Sequence, residues 1–230
     1  MRKYLIEKYN LVVVAHPDDE SIFFSGLIQR QKKYPWRVIC LTDGNADGKG
    51  AGRKKDFVRA CQALKVADIE WWGYPDHYET RLPVNEISEY LKSLPPPQAI
   101  FTHGPLGEYG HPHHQDASYA VHKAFTDEIP IYSVAYNTLP EIRIQLTAKE
   151  YRLKTKILSE VYGSETSRFL NLLPATSTEG FIRVTHQEVQ SLYQFLICSS
   201  KRKKLNTKEL KIYKWLAKYL EKHKGLPRPF

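Results

Sequence analysis

Cysteine is scarce. The 230-residue chain has three, Cys40, Cys61 and Cys198, widely spaced and odd in number. No CxxC pair occurs, so neither a disulfide framework nor a thiolate zinc site is indicated, and a reducing compartment is the expected home. Long apolar runs are missing too. The opening segment MRKYLIEKYNLVVVAHPDDE has no run long enough for a signal peptide. Nothing approaches the roughly 20 apolar residues of a membrane span. There is no internal repeat, low-complexity tract or evident linker. With 42% hydrophobic residues, the chain is expected to fold as one cytoplasmic domain with its own core.

An excess of charge is absent from most of the sequence. The net charge is +9, yet residues 1–200 hold 23 basic and 23 acidic residues. The excess belongs to residues 201–230, with eleven Lys or Arg and two Glu. Nucleotide loops are also lacking. In GNADGKGAG, Gly44 and Gly48 are four apart where the P-loop needs five, and no hydroxyl residue follows the lysine. A loop covering a site is the better reading of that stretch.

What is present is an alternation of strand-length apolar runs with helix-length periodic segments. LVVVA (11–15), WRVICLT (36–42), ADIEWWGY (67–74), QAIFTH (98–103) and IYSVAYN (131–137) read as strands. Helices are expected over 20–33, 53–66, 84–94 and 113–125. Beyond residue 138 the pattern suggests a strand (142–147), a helix (148–163), a short strand (181–185) and two more helices. This predicts an α/β fold: a Rossmann-like, mostly parallel sheet with helices on both faces, as a single domain. Ligands of such sheets sit outside the carboxyl ends of the strands. HPDDE ends the first strand and HGPLGEYGHPHH (103–114) ends the fourth, so the two richest clusters fall on one rim.

Alone, HPDDE is also a good helix start, with Pro17 in the first turn and acids facing the helix dipole. That account explains neither His16 nor the use of three acids. His16 and Asp19 are three apart across a strand-to-helix turn, so both can reach one point. Asp18 is rotated roughly 100° from Asp19 if the segment is helical. A catalytic cation of the zinc type takes three protein ligands and keeps one position open. A third ligand is on offer from His111, His113 or His114. A non-haem Fe(II) oxygenase also uses two histidines and a carboxylate. Strands alternating with helices, and an acid adjacent to the set, favour hydrolysis.

AHPDDE together with EYGHPHH resembles the LmbE-like, or PIG-L, superfamily of zinc-dependent N-acetylglucosaminyl deacetylases. LTDGNADG with Arg53 and Asp56, WWGYPDH, KILSEVYGSE and EGFIRV resemble further stretches of that family, over most of residues 11–185. The resemblance implies a Rossmann-like deacetylase domain over 1–200. It implies His16, Asp19 and His114 as ligands of Zn2+, with Fe2+ or Co2+ as other ions for such a set. It implies Asp18 as general base, His111 as electrophile or acid, and Tyr109 as a stabiliser of the oxyanion. Arg53 and Asp76 match residues that hold sugar hydroxyls. One position departs: His113 stands where the family carries the Asp that supports its catalytic histidine, which implies a lower pKa for His111.

The expected partner is a small acetamido-sugar, with acetate and a free amine as products. The alternative is a metal-containing sugar-binding protein whose catalysis is lost. A ring or dimer would suit the family. In the basic segment 201–230, Leu205, Ile212, Leu216 and Leu220 recur at helical spacing, so a helix packed on the domain is expected. The other reading is docking to an anionic surface. Features that read bases are absent, which excludes sequence-specific nucleic-acid binding.

Overall fold

Asn10–Val14 places three valines in succession after a leucine, and all five residues are buried. A strand buried on both faces needs helices above and below it. The structure, a computed structural model, describes residues 8–48, 50–125, 128–136, 138–166, 176–198, 213 and 215–216. β1 (Asn10–Val14) lies between β2 (Trp36–Thr42) and β4 (Ala99–Thr102), parallel to both, with Val13 opposite Ile39 and Thr102. β3 (Asp68–Tyr74) and β5 (Ile131–Val134) extend the parallel sheet on either side. β7 (Thr178–Ile182) and β6 (Ile142–Gln145) finish one edge antiparallel, giving the order β3-β2-β1-β4-β5-β7-β6.

The pleat of β1 sorts the core into two layers. Val12 and Val14 pack with Phe24 of α1 (Asp19–Arg30) and Phe57 of α2 (Arg53–Ala63). Leu11 and Val13 pack with Ile87 of α3 (Val84–Lys92) and Ala117 and Val121 of α4 (Pro112–Ala124). The sequence-based fold class is the one observed: a mostly parallel α/β sheet covered on both faces.

Several boundaries differ from expectation. α1 stops at Arg30 rather than continuing to 33, because the Trp36 indole donates to the Gln31 carbonyl at 2.9 Å and draws the chain into β2. Pro35 also disfavours helix at the residue before it. The helix expected over 148–163 is interrupted: α5 (Ala148–Lys156) passes into a π-helical turn (Ile157–Val161) and then the short α6 (Gly163–Thr166). The wide turn brings the Tyr162 hydroxyl to Glu20, to which it donates at 2.9 Å. The last strand lies three residues earlier than 181–185, and its Glu179 points inward. α7 (His186–Cys198) follows. Of the basic segment, Tyr213 and Leu216 are buried against Leu106 and Leu192, and most of 201–230 lies outside the described residues. Among the described residues, no helix is long and apolar enough to cross a membrane.

Glu179 accepts from the backbone N–H groups of Gly26 (2.8 Å) and Leu27 (2.9 Å) and from Lys154 Nζ (2.9 Å). Both charged side chains are shut off from water. Lys154→Ala should therefore lower unfolding stability by about 3 kcal/mol or more in a urea titration, since a buried carboxylate loses its cation. A loss of about 1 kcal/mol, the range of surface pairs, would contradict this.

Candidate metal and hydrolytic centre

Strand order reverses direction between β1 and β4, and it is outside the carboxyl ends of the strands at such a switch point that open α/β sheets have their ligand crevice. The chain leaving β1 is fixed first. Thr42 binds the Ala15 carbonyl through its N–H (2.9 Å) and its hydroxyl (2.8 Å), and the His16 N–H donates to Asp19 Oδ2 at 2.8 Å. Asp18 then takes a positive φ of 121°, a conformation that costs a non-glycine residue about 1–3 kcal/mol. The turn is held by its surroundings. The Asp18 N–H donates to Glu20, its carbonyl accepts the first helical N–H groups of α1, and Arg53 Nη2 donates to the Pro17 carbonyl at 2.6 Å. The three acids thus divide: Asp18 toward the crevice, Asp19 inward beneath His16, and Glu20 buried as the clamp.

The second cluster starts α4. His111 caps it, Pro112 occupies the first helical position, and His113 and His114 point inward from its first turn. His16 Nδ1, His114 Nε2 and Asp19 Oδ2 form a triangle with edges of 3.1, 3.3 and 3.5 Å. A tetrahedral ion about 2.0–2.1 Å from each donor would set them about 3.3–3.4 Å apart. Two imidazole nitrogens and one carboxylate oxygen are also the donors a zinc-like ion favours. The residues fit a divalent cation.

Two carboxylates fix the orientation of those imidazoles. Glu108 Oε2 lies 2.6 Å from both His114 Nδ1 and His103 Nδ1, and Oε1 accepts the Gly104 N–H. That separation is too short for two ligands of one tetrahedral ion and suits N–H donors on a shared acceptor. It leaves His114 Nε2 free for the cation. Asp76 Oδ1 faces the far nitrogen of His16, Nε2, at 3.5 Å and His113 Nδ1 at 3.1 Å. Gly107 permits the loop carrying Glu108: its φ is +67°, and a Cβ there would meet the His111 carbonyl at 2.5 Å. Sequence reasoning singled out neither His103 nor Glu108. The available signal was the density of four histidines in twelve residues with one acid among them. Glu108→Gln should weaken cation affinity about 10- to 100-fold by freeing the His114 ring. Isothermal titration with Zn2+ measures it, and unchanged affinity would show that Glu108 does not orient the ligand.

The surrounding groups are tuned apart. Burial, and then the charge of Asp19, push the Asp18 carboxyl well above the usual carboxylate range, against the pull of Arg53. Burial also raises Glu20, to about 7. Glu108 goes the other way: His103 and His114 outweigh its burial and hold it at about 2. His111 is pushed down to about 2, first by burial and then by the His114 and His16 rings. Its Nδ1 accepts the His113 N–H at 3.3 Å, so it presents Nε2–H as a neutral donor. Tyr109, half-exposed with φ 50°, stands edge-on to the rings of His111 and His114 at 6.0 and 5.4 Å. Tyr78 is also edge-on to His111, at 5.4 Å. Arg53 pairs with Glu165 and lies 3.6 Å from Asp18 Oδ2. All eight residues singled out from the sequence lie in this one cluster, with Arg53 and Asp76 among its buried members.

The sequence profile of the PIG-L family, described as GlcNAc-PI de-N-acetylase, matches residues 11–125, half of the 230-residue chain. An uncharacterized protein of Acanthamoeba polyphaga mimivirus is 28% identical over 173 residues, covering 67% of this chain and 71% of that one. The N-acetylglucosaminyl-phosphatidylinositol de-N-acetylase of Saccharomyces cerevisiae is 29% identical over 140 residues, 54% of this chain and 46% of the yeast protein. The chain thus spans about half the length of that relative. The N,N'-diacetylchitobiose deacetylase of Pyrococcus horikoshii shares the fold, with a TM-score of 0.54 at 19% identity, over 79% of this chain and 85% of that one.

Proposed function

The chain belongs to the PIG-L family, and from that premise we propose that it is a cation-dependent hydrolase removing the acetyl group from an N-acetylglucosamine-type amino sugar or conjugate. The observation that carries the reading is the His16, Asp19 and His114 triangle at ligand spacing with Asp18 beside it. His16 Nδ1, Asp19 Oδ2 and His114 Nε2 would hold the ion, zinc by its donor set, with Fe2+ or Co2+ as the other ions that suit it. A cation so held supplies a more acidic water and a polarised amide carbonyl.

The protein's own groups do the rest. The Asp18 carboxylate takes a proton from the attacking water and later passes it to the amide nitrogen as the C–N bond breaks. Its raised proton affinity suits both halves of that task. His111 Nε2–H and the Tyr109 hydroxyl donate to the oxygen that gains charge during attack. Water is consumed, and acetate and a free amine leave. Arg53 holds Pro17 and Asp18 in place through the Pro17 carbonyl. Asp76 holds the His16 and His113 rings.

A panel of N-acetylglucosamine derivatives, including the monosaccharide, a chitobiose-type disaccharide and an inositol-linked conjugate, should give fluorescamine-reactive amine from at least one member. Chelation should abolish release and added Zn2+ should restore it. A cation-loaded protein that releases amine from none of them would favour the reading as a sugar-binding protein without catalysis.

A further inference from the structure

His113 is the residue that departs from the family pattern, and it sits in a second set of donors. His113 Nδ1, Asp76 Oδ1 and His16 Nε2 form a triangle with edges of 3.1, 3.3 and 3.5 Å. These are the spacings of the first triangle, and the two share the His16 ring, one nitrogen to each. The tautomer of His113 suits ligation as well as hydrogen bonding. His113 Nε2 donates to the Thr80 carbonyl at 2.9 Å, which leaves Nδ1 with its lone pair toward Asp76. In the neutral tautomer Nδ1 and Oδ1 are two acceptors 3.1 Å apart, and either a second ring proton or a cation must lie between them. A cation at their centre removes the repulsion.

We propose that His113, Asp76 and His16 form a second divalent-cation site, fused to the first through the imidazole of His16. Its two nitrogens and one carboxylate oxygen suit a zinc-type ion. Filling it breaks the His16 Nε2–H bond, forms a nitrogen–metal bond and releases that proton to solvent. The bridging ring then carries both ions. The second site is the weaker one, because it must displace this proton. It lies beside His111, the donor to the oxyanion in the proposed mechanism, so the ion it binds is an inhibitor of hydrolysis at excess zinc. Only that last consequence rests on the deacetylase reading; the binding itself does not.

The test is a titration of chelator-stripped protein with Co2+ and with Zn2+. Bound ion is measured by equilibrium dialysis and elemental analysis, the Co2+ set by its visible absorption, and proton release by calorimetry in two buffers of different ionisation enthalpy. Wild type should bind two equivalents, the second at least about 10-fold more weakly and with proton release. His113→Asn should bind one, with loss of the second absorption step. His114→Ala should also bind one, through the His113 set. His113→Gln serves where His113→Asn does not give the native circular dichroism spectrum. Saturation of wild type at one equivalent would leave a hydrogen-bonded Asp76–His113 pair only and overturn the proposal. So would a second equivalent that survives both His113 variants. Failure to find any deacetylated product would bear on the proposed function and leave the stoichiometry as it stands.

Discussion

Asp18→Asn should keep the cation and lose about 10²- to 10⁴-fold in kcat, the usual range for removal of a general base. Asp18 is not one of the three donors at ligand spacing, and its carboxylate stands free of that triangle. Its nearest charged contact outside the triangle is Arg53, at 3.6 Å. The amide that replaces it keeps the size and the positive-φ turn, since Asn tolerates that backbone about as well as Asp. What it cannot do is accept a proton. KM should change little, because the binding surface is preserved. Metal analysis beside single-substrate kinetics separates the two effects. A cation-free Asp18→Asn beside a cation-loaded Asp19→Asn would mean that the two acids exchange roles.

That distinction between neighbouring acids was only partly readable beforehand. Continuous β-branched runs such as Leu11–Val14 announced buried parallel strands, and the β–α alternation placed HPDDE and GHPHH on one rim. Spacing brought His16 and Asp19 together and left the third ligand open among three histidines. The orienting groups were hidden for a physical reason. Glu108 matters because Gly107 turns its loop back under α4, and no local pattern records that a carboxylate then meets two imidazoles. Asp76 comes from a different strand end, and its contact with His16 exists only once β3 and β1 are in one sheet. The early end of α1 and the π-helical turn were likewise invisible. The π-helical turn meets the distant Glu20 carboxylate, and the early end of α1 combines the local effect of Pro35 with the Trp36 indole five residues beyond Gln31.

Asp19→Ala should be the most damaging single change to the centre. One oxygen, Oδ2, accepts the His16 N–H at 2.8 Å and lies 3.3 Å from His16 Nδ1, 3.3 Å from His103 Nε2 and 3.5 Å from His114 Nε2. Burial alone would push this carboxyl up. The imidazoles of His114 and His103 overcome that and hold it well below the usual range, so it stays an anion in the protein interior. Alanine removes the only negative ligand and leaves the rings of His16, His103 and His114 around a void. Cation affinity should fall more than about 100-fold, beyond the loss expected for an orienting partner such as Glu108. Turnover should fall to background with it. Asp19→Asn should lie between, because its amide oxygen can still ligate and accept the His16 N–H but carries no charge. The expected order of Zn2+ affinity is wild type, then Asp19→Asn, then Asp19→Ala. Asp18→Asn should be close to wild type in affinity and far below it in rate. Full cation content and turnover in Asp19→Ala would remove the ligand assignment and, with it, the mechanism built on that triangle.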